Sequence, residues 1–564
     1  MSFIVKKKIH GNEYYYLNEN KRVNGKVKTK TIAYLGKTKT CAKKKAREII
    51  KKMKSNEIRD KKIESKNKKI KINEQRIKPE KTSIGELAVF CKRKGFVYQS
   101  GEIYGGFAGF WDYGHLGVEL KNNIKKAWWR FHVHQREDIV GIDGSIITHP
   151  DVWRASGHVG SFSDIFVVCK KCKKPSKIDK SELGKVKCEC GGDYDFESAK
   201  EFKLMFSTNV GESEKAYLRP ETAQLIFSNF KFIYDNARMK LPFGIAQTGK
   251  AFRNEIAPRN FLFRSREFEQ MEIEYFTKPD EPCPYKIPDA EILVYSSDAQ
   301  EKNKKPVKMK IKSAFDKKII KKDWHAYWLT TEFLWFKNLG ANPNNFRIRQ
   351  HRKDELAHYS CDCWDLEYKF PFGWKELEGI ADRSNYDLSQ HEKFSKKDLR
   401  ILDEDSKQKI LPCVICEPSL GVERAFLVFL FDSYYYCKKR KNIILKLHPI
   451  LAPIKAAVFP IVKQPKFEKI ALDVVKDLEM EWNILYDKSG SIGRRYARND
   501  ETGTPMCITI DEETPKDNSV TVRWRDNAEQ VRIKIKNLKE VMKKVIGGES
   551  IFNFGRLVNT RKKI

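Results

Sequence analysis

Long apolar stretches are missing from this chain. The longest, Ala425–Phe431, is far too short to cross a bilayer, so no membrane span is expected. The lysine-rich start has neither an apolar block nor a small-residue cleavage site, so no secretory leader is expected. These absences predict a soluble, cytoplasmic protein. Negative charge is in short supply: 75 Asp and Glu stand against 110 Lys and Arg, a net charge of +35. Such an excess points to a polyanionic partner. A disulfide framework is also missing. The 13 cysteines are an odd number with several close pairs. In a large intracellular chain that pattern fits metal binding and buried thiols. A chain of 564 residues has room for about two to four domains.

The positive charge is unevenly spread. Residues 1–81 hold 27 Lys and Arg against 8 Asp and Glu, a net +19. Strand-forming stretches run from Phe3 to Ile9, Tyr14 to Leu17 and Val27 to Leu35, with a tight turn at Asn24-Gly25. A basic helix is expected over Cys41–Ile70. Tyr14, Tyr15, Tyr16 and Tyr34 sit among the lysines. Two readings of this 1–82 extension stay open. It is a solvated lysine tail, or an RNA-binding appendage whose lysines meet phosphates and whose tyrosines stack on bases.

Composition becomes globular from Ile84. Leu120, Ile124, Ala127, Trp128 and Phe131 fall on one helical stripe. Cys169, Cys172, Cys188 and Cys190 then form two close pairs, C-x-x-C and C-x-C, around a lysine-rich loop. Four thiolates so spaced can wrap a tetrahedral zinc; the alternative is four reduced thiols. Cys361, Cys363, Cys413 and Cys416 read as core thiols.

The most informative stretch is Phe252–Phe276, FRNEIAPRNFLFRSREFEQMEIEYF. Arg253 and Glu255 are two apart, so a strand would put them on one face. A basic loop follows. A second strand would align Phe268, Gln270, Glu272 and Glu274. Arginines fork onto phosphates, a ring stacks on a base, and carboxylates hold a cation or an ammonium group. The hairpin therefore suits a nucleoside triphosphate beside a small amine.

FRNE, a basic loop and REFEQME resemble motif 2 of class II aminoacyl-tRNA synthetases, in the form found in glycyl-tRNA synthetases. Gly101–Val133 resembles the start of that family, where a proline usually stands at the position of His115. EDIVGIDGSIITHPDVWRASGHVGSF resembles motif 1, which implies a homodimer. AYLRPETAQLIFSNF carries the RPETAQ signature, with Thr222 as a candidate helix cap. CEPSLGVERAFLVFLF (Cys416–Phe431) resembles motif 3. His358–His391 resembles glycyl enzymes of the archaeal and eukaryotic type. There Glu376 and Glu378 alternate with Leu377, so both are expected to face ATP. Beyond Leu447, alternating strands and helices resemble a class IIa anticodon-binding domain, with Arg494, Arg495, Arg498 and Arg525 as a basic face.

The resemblance implies a fold and a chemistry. The fold is an α+β catalytic core over 83–440, an antiparallel sheet flanked by helices, with insertions at 166–200 and 277–322. An α/β anticodon-binding domain follows over 445–564. The chemistry is glycine–tRNA ligation: ATP and Mg²⁺ give glycyl-adenylate, and glycine passes to the 3′ end of tRNA(Gly). Arg253 and Arg424 are implied as catalytic. ATP would meet them together with Asn254, Glu255, Phe263, Arg264, Ser265, Arg266, Phe268, Glu376, Leu377 and Gly421. Glycine would meet Glu221, Gln270, Glu272, Glu417 and Ser419. The rival readings are a threonyl or prolyl synthetase, and a synthetase-like RNA-binding protein without catalysis.

Overall fold

The computed structural model describes residues 2–9, 12–23, 26–46, 82–161, 163–178, 184, 186–197, 199–403 and 406–558. The chain divides into two compact units, Met1–Glu80 and Lys81–Ile564. The smaller begins with three antiparallel strands, Ser2–Ile9, Asn12–Val23 and Lys26–Gly36. Residues 39–46 are helical. The rest of the basic helix expected over 41–70 lies outside the described residues, as does the Asn24-Gly25 turn.

The larger unit is built on a nine-stranded sheet. In spatial order its strands are Val307–Lys310, Glu291–Tyr295, Phe346–Gln350, Asp362–Phe370, Gly373–Asp382, Cys413–Gly421, Glu267–Thr277, Phe243–Phe252 and Ile139–Ile142. Its middle is antiparallel, as expected. Each end adds one parallel pair, Ile139–Ile142 with Phe243–Phe252 and Glu291–Tyr295 with Phe346–Gln350. The sheet is therefore mixed rather than wholly antiparallel. Residues 277–322, expected as an insertion, supply two strands to its edge.

Why the sheet folds this way is plain in Glu267–Thr277. Met271, Ile273 and Tyr275 alternate onto one face and are fully buried. They join the main core with the helices His115–Trp129, Asp323–Asn338 and Val422–Ser433. Burial of each such side chain is worth about 1.5–3 kcal/mol. The opposite face carries Phe268, Gln270, Glu272 and Glu274. Ala223, Ile226, Phe227 and Phe230, from the helix Ala223–Ala237, pack with Leu388 in a second, smaller core.

The C-terminal part holds a six-stranded sheet. Ile484–Tyr486, Ala456–Pro460 and Met506–Ile510 run parallel; Ser519–Trp524, Gln530–Lys534 and Arg556–Leu557 continue antiparallel. Pro465–Glu479 and Leu538–Ile546 pack on it, the latter through Leu538, Val541, Met542 and Val545. The expected basic face is only half there. Arg494 and Arg498 are exposed, and Arg498 pairs with Asp487 at 2.5 Å. Arg495 and Arg525 are buried instead. Arg525 donates to the carbonyls of Gly503 (2.7 Å) and Leu447 (2.8 Å), and Arg440 reaches Asp500 (3.1 Å) and the Arg525 carbonyl (2.6 Å). These arginines satisfy backbone oxygens that burial would otherwise orphan.

Candidate functional site

A cleft opens over the polar face of the central strands, between the hairpin loop, the loop 351–361 and the start of the helix Val422–Ser433. Of the residues expected to meet ATP, Arg253, Glu255, Phe263, Arg264, Ser265, Phe268, Glu376, Leu377, Gly421 and Arg424 line it. So do all five expected to meet glycine. Asn254 and Arg266 do not. The Asn254 backbone N–H donates to the Leu204 carbonyl, and the Arg266 side chain donates to the carbonyls of Glu255 and Ala108. Their part is to pin the loop. Arg253 and Glu255 are also not on a strand, because Phe243–Phe252 ends before them. The loop brings both to the cleft nevertheless.

One end of the cleft is cationic and aromatic. The Arg253 guanidinium lies 5.4 Å from the centre of the Phe268 ring, with Nε donating to the Pro220 carbonyl at 3.0 Å. Arg424 lies 4.7 Å from the Phe263 ring and 3.1 Å from Glu376. Its charge is the main cause holding the Glu376 carboxyl below the usual range. Arg264 Nε donates to Glu255 at 2.8 Å. Glu378 does not join them. Glu367 pairs with Glu376 while Leu366 pairs with Glu378, so Leu377 is an extra residue that bulges the strand. Beyond it the alternation reverses. Glu378 is fully buried, and burial with Glu332 beside it pushes its carboxyl well up.

The other end is acidic. Glu221, Glu272 and Glu417 converge there, each more than nine-tenths buried. Thr222 lies at the start of its helix but does not cap it; its hydroxyl donates to Glu272. Ser419 donates to the other Glu272 oxygen at 2.6 Å, and Gln270 reaches Ser419 at 3.1 Å. Burial and the charge of Glu221 raise the Glu272 carboxyl. Burial would raise Glu221 too, but His158 at 3.2 Å, with Arg383 and Arg253, holds it far below the usual range. Glu417 is pushed up to about 8 by burial, aided by Glu272 and Glu221, against the pull of Arg383. Arg383 directs Nε and Nη2 to Asp387 (2.7 and 2.8 Å) and Nη1 to Glu417 (2.9 Å). Three acidic side chains at one spot suit a cationic group.

Sequence reasoning missed the frame around these acids. Arg383 is fully buried and stacks 3.7 Å from the Tyr359 ring. His351 meets Asp365 at 2.9 Å, where burial pushes that carboxyl up to about 6. The Arg383–Asp387 spacing of four is a helical-turn signal in the sequence. The loop 351–361 offers none. Arg219, beside Glu221, is a clasp: it donates to the carbonyls of Lys250 and Gly144, both at 2.6 Å. A Cβ at Gly249 would collide with its guanidinium, so a side chain there would displace the clasp.

Cys169, Cys172, Cys188 and Cys190 do come together. Their sulfurs all lie within 4.8 Å of one another, with Cys169–Cys190 at 3.5 Å and Cys172–Cys188 at 3.6 Å. A tetrahedral Zn–S₄ centre has edges of about 3.8 Å. The short C-x-C pair is accommodated by Gly191, at φ +77°, and by Gly192, where a Cβ would lie 3.1 Å from the Cys169 sulfur. The other expected core thiols divide: Cys363 and Cys416 are buried, Cys413 is half-buried and Cys361 is exposed.

Comparison with known proteins decides the family. A glycine–tRNA ligase of Treponema denticola is 42% identical over 469 residues, covering 80% of this chain and 95% of that one. Another, of Clostridium acetobutylicum, is 42% identical over 504 residues, covering 83% of this chain and all of that one. The chain belongs to the glycine–tRNA ligase family. Both of these relatives are bacterial. They are spanned almost end to end by about four-fifths of this chain. Residues 455–545 match the anticodon binding domain family, and residues 4–65 match the IS1634 family transposase, N-terminal domain. In fold, the ligase chain resembles the crystal structure of prolyl-tRNA synthetase from Cryptosporidium parvum complexed with halofuginone and AMPPNP. The TM-score is 0.52 at 14% identity, covering 84% of this chain and 80% of that one. At that identity the likeness carries the fold alone. Among the described residues, no helix is long and apolar enough to cross a membrane.

Proposed function

We infer that this chain is a cytoplasmic glycine–tRNA ligase whose cleft performs both steps of charging. The observation that carries the reading is the pairing of ends: a three-acid cradle 221/272/417 beside an arginine–phenylalanine wall 253/268/424. The acids take the glycine ammonium. The arginines take the phosphates, and Phe268 stacks on adenine. A glycine carboxylate oxygen attacks the α-phosphorus, and the bond to pyrophosphate breaks. Arg253 is assigned to the charge on the α-phosphate; Arg424 and Arg264 to the leaving phosphates. In the second step a ribose hydroxyl of the tRNA 3′ end attacks the adenylate carbonyl and releases AMP. Catalysis is positioning plus charge stabilisation. Larger amino acids are excluded by clash, and nothing smaller competes, so no editing is needed.

Two metals belong to this reading. Mg²⁺ would supply charge neutralisation to the triphosphate, and Glu376 is the carboxylate that would hold it. Zinc supplies a structural crosslink, with Cys169, Cys172, Cys188 and Cys190 as its four ligands. The motif 1 segment is assigned to a homodimer interface: Ile139–Ile142 is an edge strand, and Ile146 and Ile147 beside it are 39% and 53% exposed. Ile147→Glu is expected to yield monomers in sedimentation; an unchanged dimer would place the interface elsewhere. The archaeal and eukaryotic subtype stays with the 358–391 resemblance, since the matched relatives are bacterial.

Pyrophosphate exchange with a panel of amino acids tests the activity. Glycine alone should support it, and Arg253→Ala should reduce it about a hundredfold, as for loss of one preorganised donor. Exchange driven by threonine or proline, or none in a folded enzyme, would favour one of the rival readings.

A further inference from the structure

The smaller unit carries a surface that has no part in the roles assigned to the cleft. Alternation divides its three-stranded sheet into two faces. Tyr15, Leu17 and Leu35 are buried on one, with Ala42 and Ala46 of the helical stretch. Three other tyrosines share the opposite face. Tyr14 and Tyr16 are two apart on the middle strand, and Tyr34 stands across from Tyr16 on the third. The Tyr34 ring lies 5.4 Å from that of Tyr16 and 6.3 Å from that of Tyr14, and Tyr34 is 49% exposed. Lys7 stands across from Tyr14 on the first strand, its ammonium 5.5 Å from the Tyr16 ring. The Lys37 ammonium lies 5.6 Å from the Tyr14 ring.

The core of this sheet is on the other side, so folding does not require three rings here. The charge names the partner. Residues 2–46 hold 13 Lys and Arg against two acids. One of the acids, Glu13, is paired with Lys6 at 2.5 Å. Rings rimmed by ammonium groups suit a ligand with flat faces and phosphates. Bases offer flat faces only when unpaired, because a duplex hides them in its stack. We propose that this tyrosine face binds unpaired RNA, with Tyr14, Tyr16 and Tyr34 stacking on bases and Lys7 and Lys37 meeting the flanking phosphates. RNA is chosen over DNA because the chain belongs to a tRNA ligase family. The roles assigned in the cleft are not needed for it.

The test uses the full chain and fluorescence anisotropy with a labelled oligouridine of about ten nucleotides and an RNA duplex of equal length. Tyr14→Leu/Tyr16→Leu/Tyr34→Leu is expected to weaken oligouridine binding about tenfold or more. The corresponding phenylalanine triple should retain it. The leucine triple should leave the slope of log K against log salt unchanged, while Lys7→Gln/Lys37→Gln makes it shallower by about 0.7 for each phosphate left without its lysine. Glycine-dependent pyrophosphate exchange should be normal in all three variants. Parental affinity in the leucine triple would overturn the proposal. So would an equal loss on the duplex, or tighter binding of the duplex than of oligouridine by the parent. If the leucine triple unfolds the sheet, as seen by circular dichroism, Tyr34→Leu decides: a several-fold loss supports the proposal and none overturns it.

Discussion

At the scale of single residues, the cradle proposed for the glycine ammonium rests on Glu221, Glu272 and Glu417. Glu417 is its tunable member. With its carboxyl pushed up to about 8, it is expected to hold a proton at neutral pH before glycine binds. An ammonium group favours the carboxylate, so its pKa must fall on binding and the proton must leave. Glycine binding to the ATP-free enzyme is therefore expected to release protons below about pH 8 and to tighten by up to about tenfold per pH unit as pH rises toward that value. Calorimetry in two buffers of different ionisation heat measures this directly. Zero release at pH 7 would show that Glu417 is already charged. Glu221→Gln and Glu272→Gln should each raise the KM for glycine far more than that for ATP. The reverse pattern would move these acids to the nucleotide.

At the scale of elements, the hairpin is the part most legible in the sequence. Alternation in Glu267–Thr277 places Gln270, Glu272 and Glu274 opposite Met271, Ile273 and Tyr275, because a central strand with one polar and one apolar face has only one way to lie. Glu376 and Glu378 show where that logic stops. Alternation is a local rule, and a bulge is set by the neighbouring strand, so nothing in the sequence KELEG marks Leu377 as the extra residue. Arg383 is hidden for a related reason. Asp387 lies one helical turn on, but Glu417 and Tyr359 come from other elements, and only the fold makes those two its neighbours. The cysteine cluster is legible by spacing, yet the Gly191-Gly192 turn that lets C-x-C close is not. One zinc per chain is expected there. Metal analysis of Cys169→Ser/Cys172→Ser should find it lost, with local loosening of the strand Ser163–Val168 in hydrogen exchange. Undiminished zinc in that variant would assign the metal to other cysteines.

At the scale of the whole molecule, charge and chemistry are segregated. Residues 1–81 hold a net +19, while every residue assigned to glycine activation lies beyond Ile84. Removing 1–81 is expected to leave pyrophosphate exchange near normal. It should weaken tRNA binding, cognate and non-cognate alike, since lysine–phosphate pairs carry no sequence information. The salt slope should fall by about 0.7–0.9 for each phosphate that the extension neutralises. Equal charging by the truncated and full chains, at low and physiological salt, would leave the extension as a solvated tail. Within the larger unit, the clasps of Arg525 and Arg440 have a different consequence. They fasten the six-stranded sheet to Leu447, whose side chain packs in the main core, and to Arg440, through hydrogen bonds to backbone carbonyls. Two stations so fastened are expected to keep a set separation, which would make charging depend on an RNA's length. A tRNA lengthened by one base pair in its anticodon arm should be charged more slowly, and Arg525→Ala should narrow that difference.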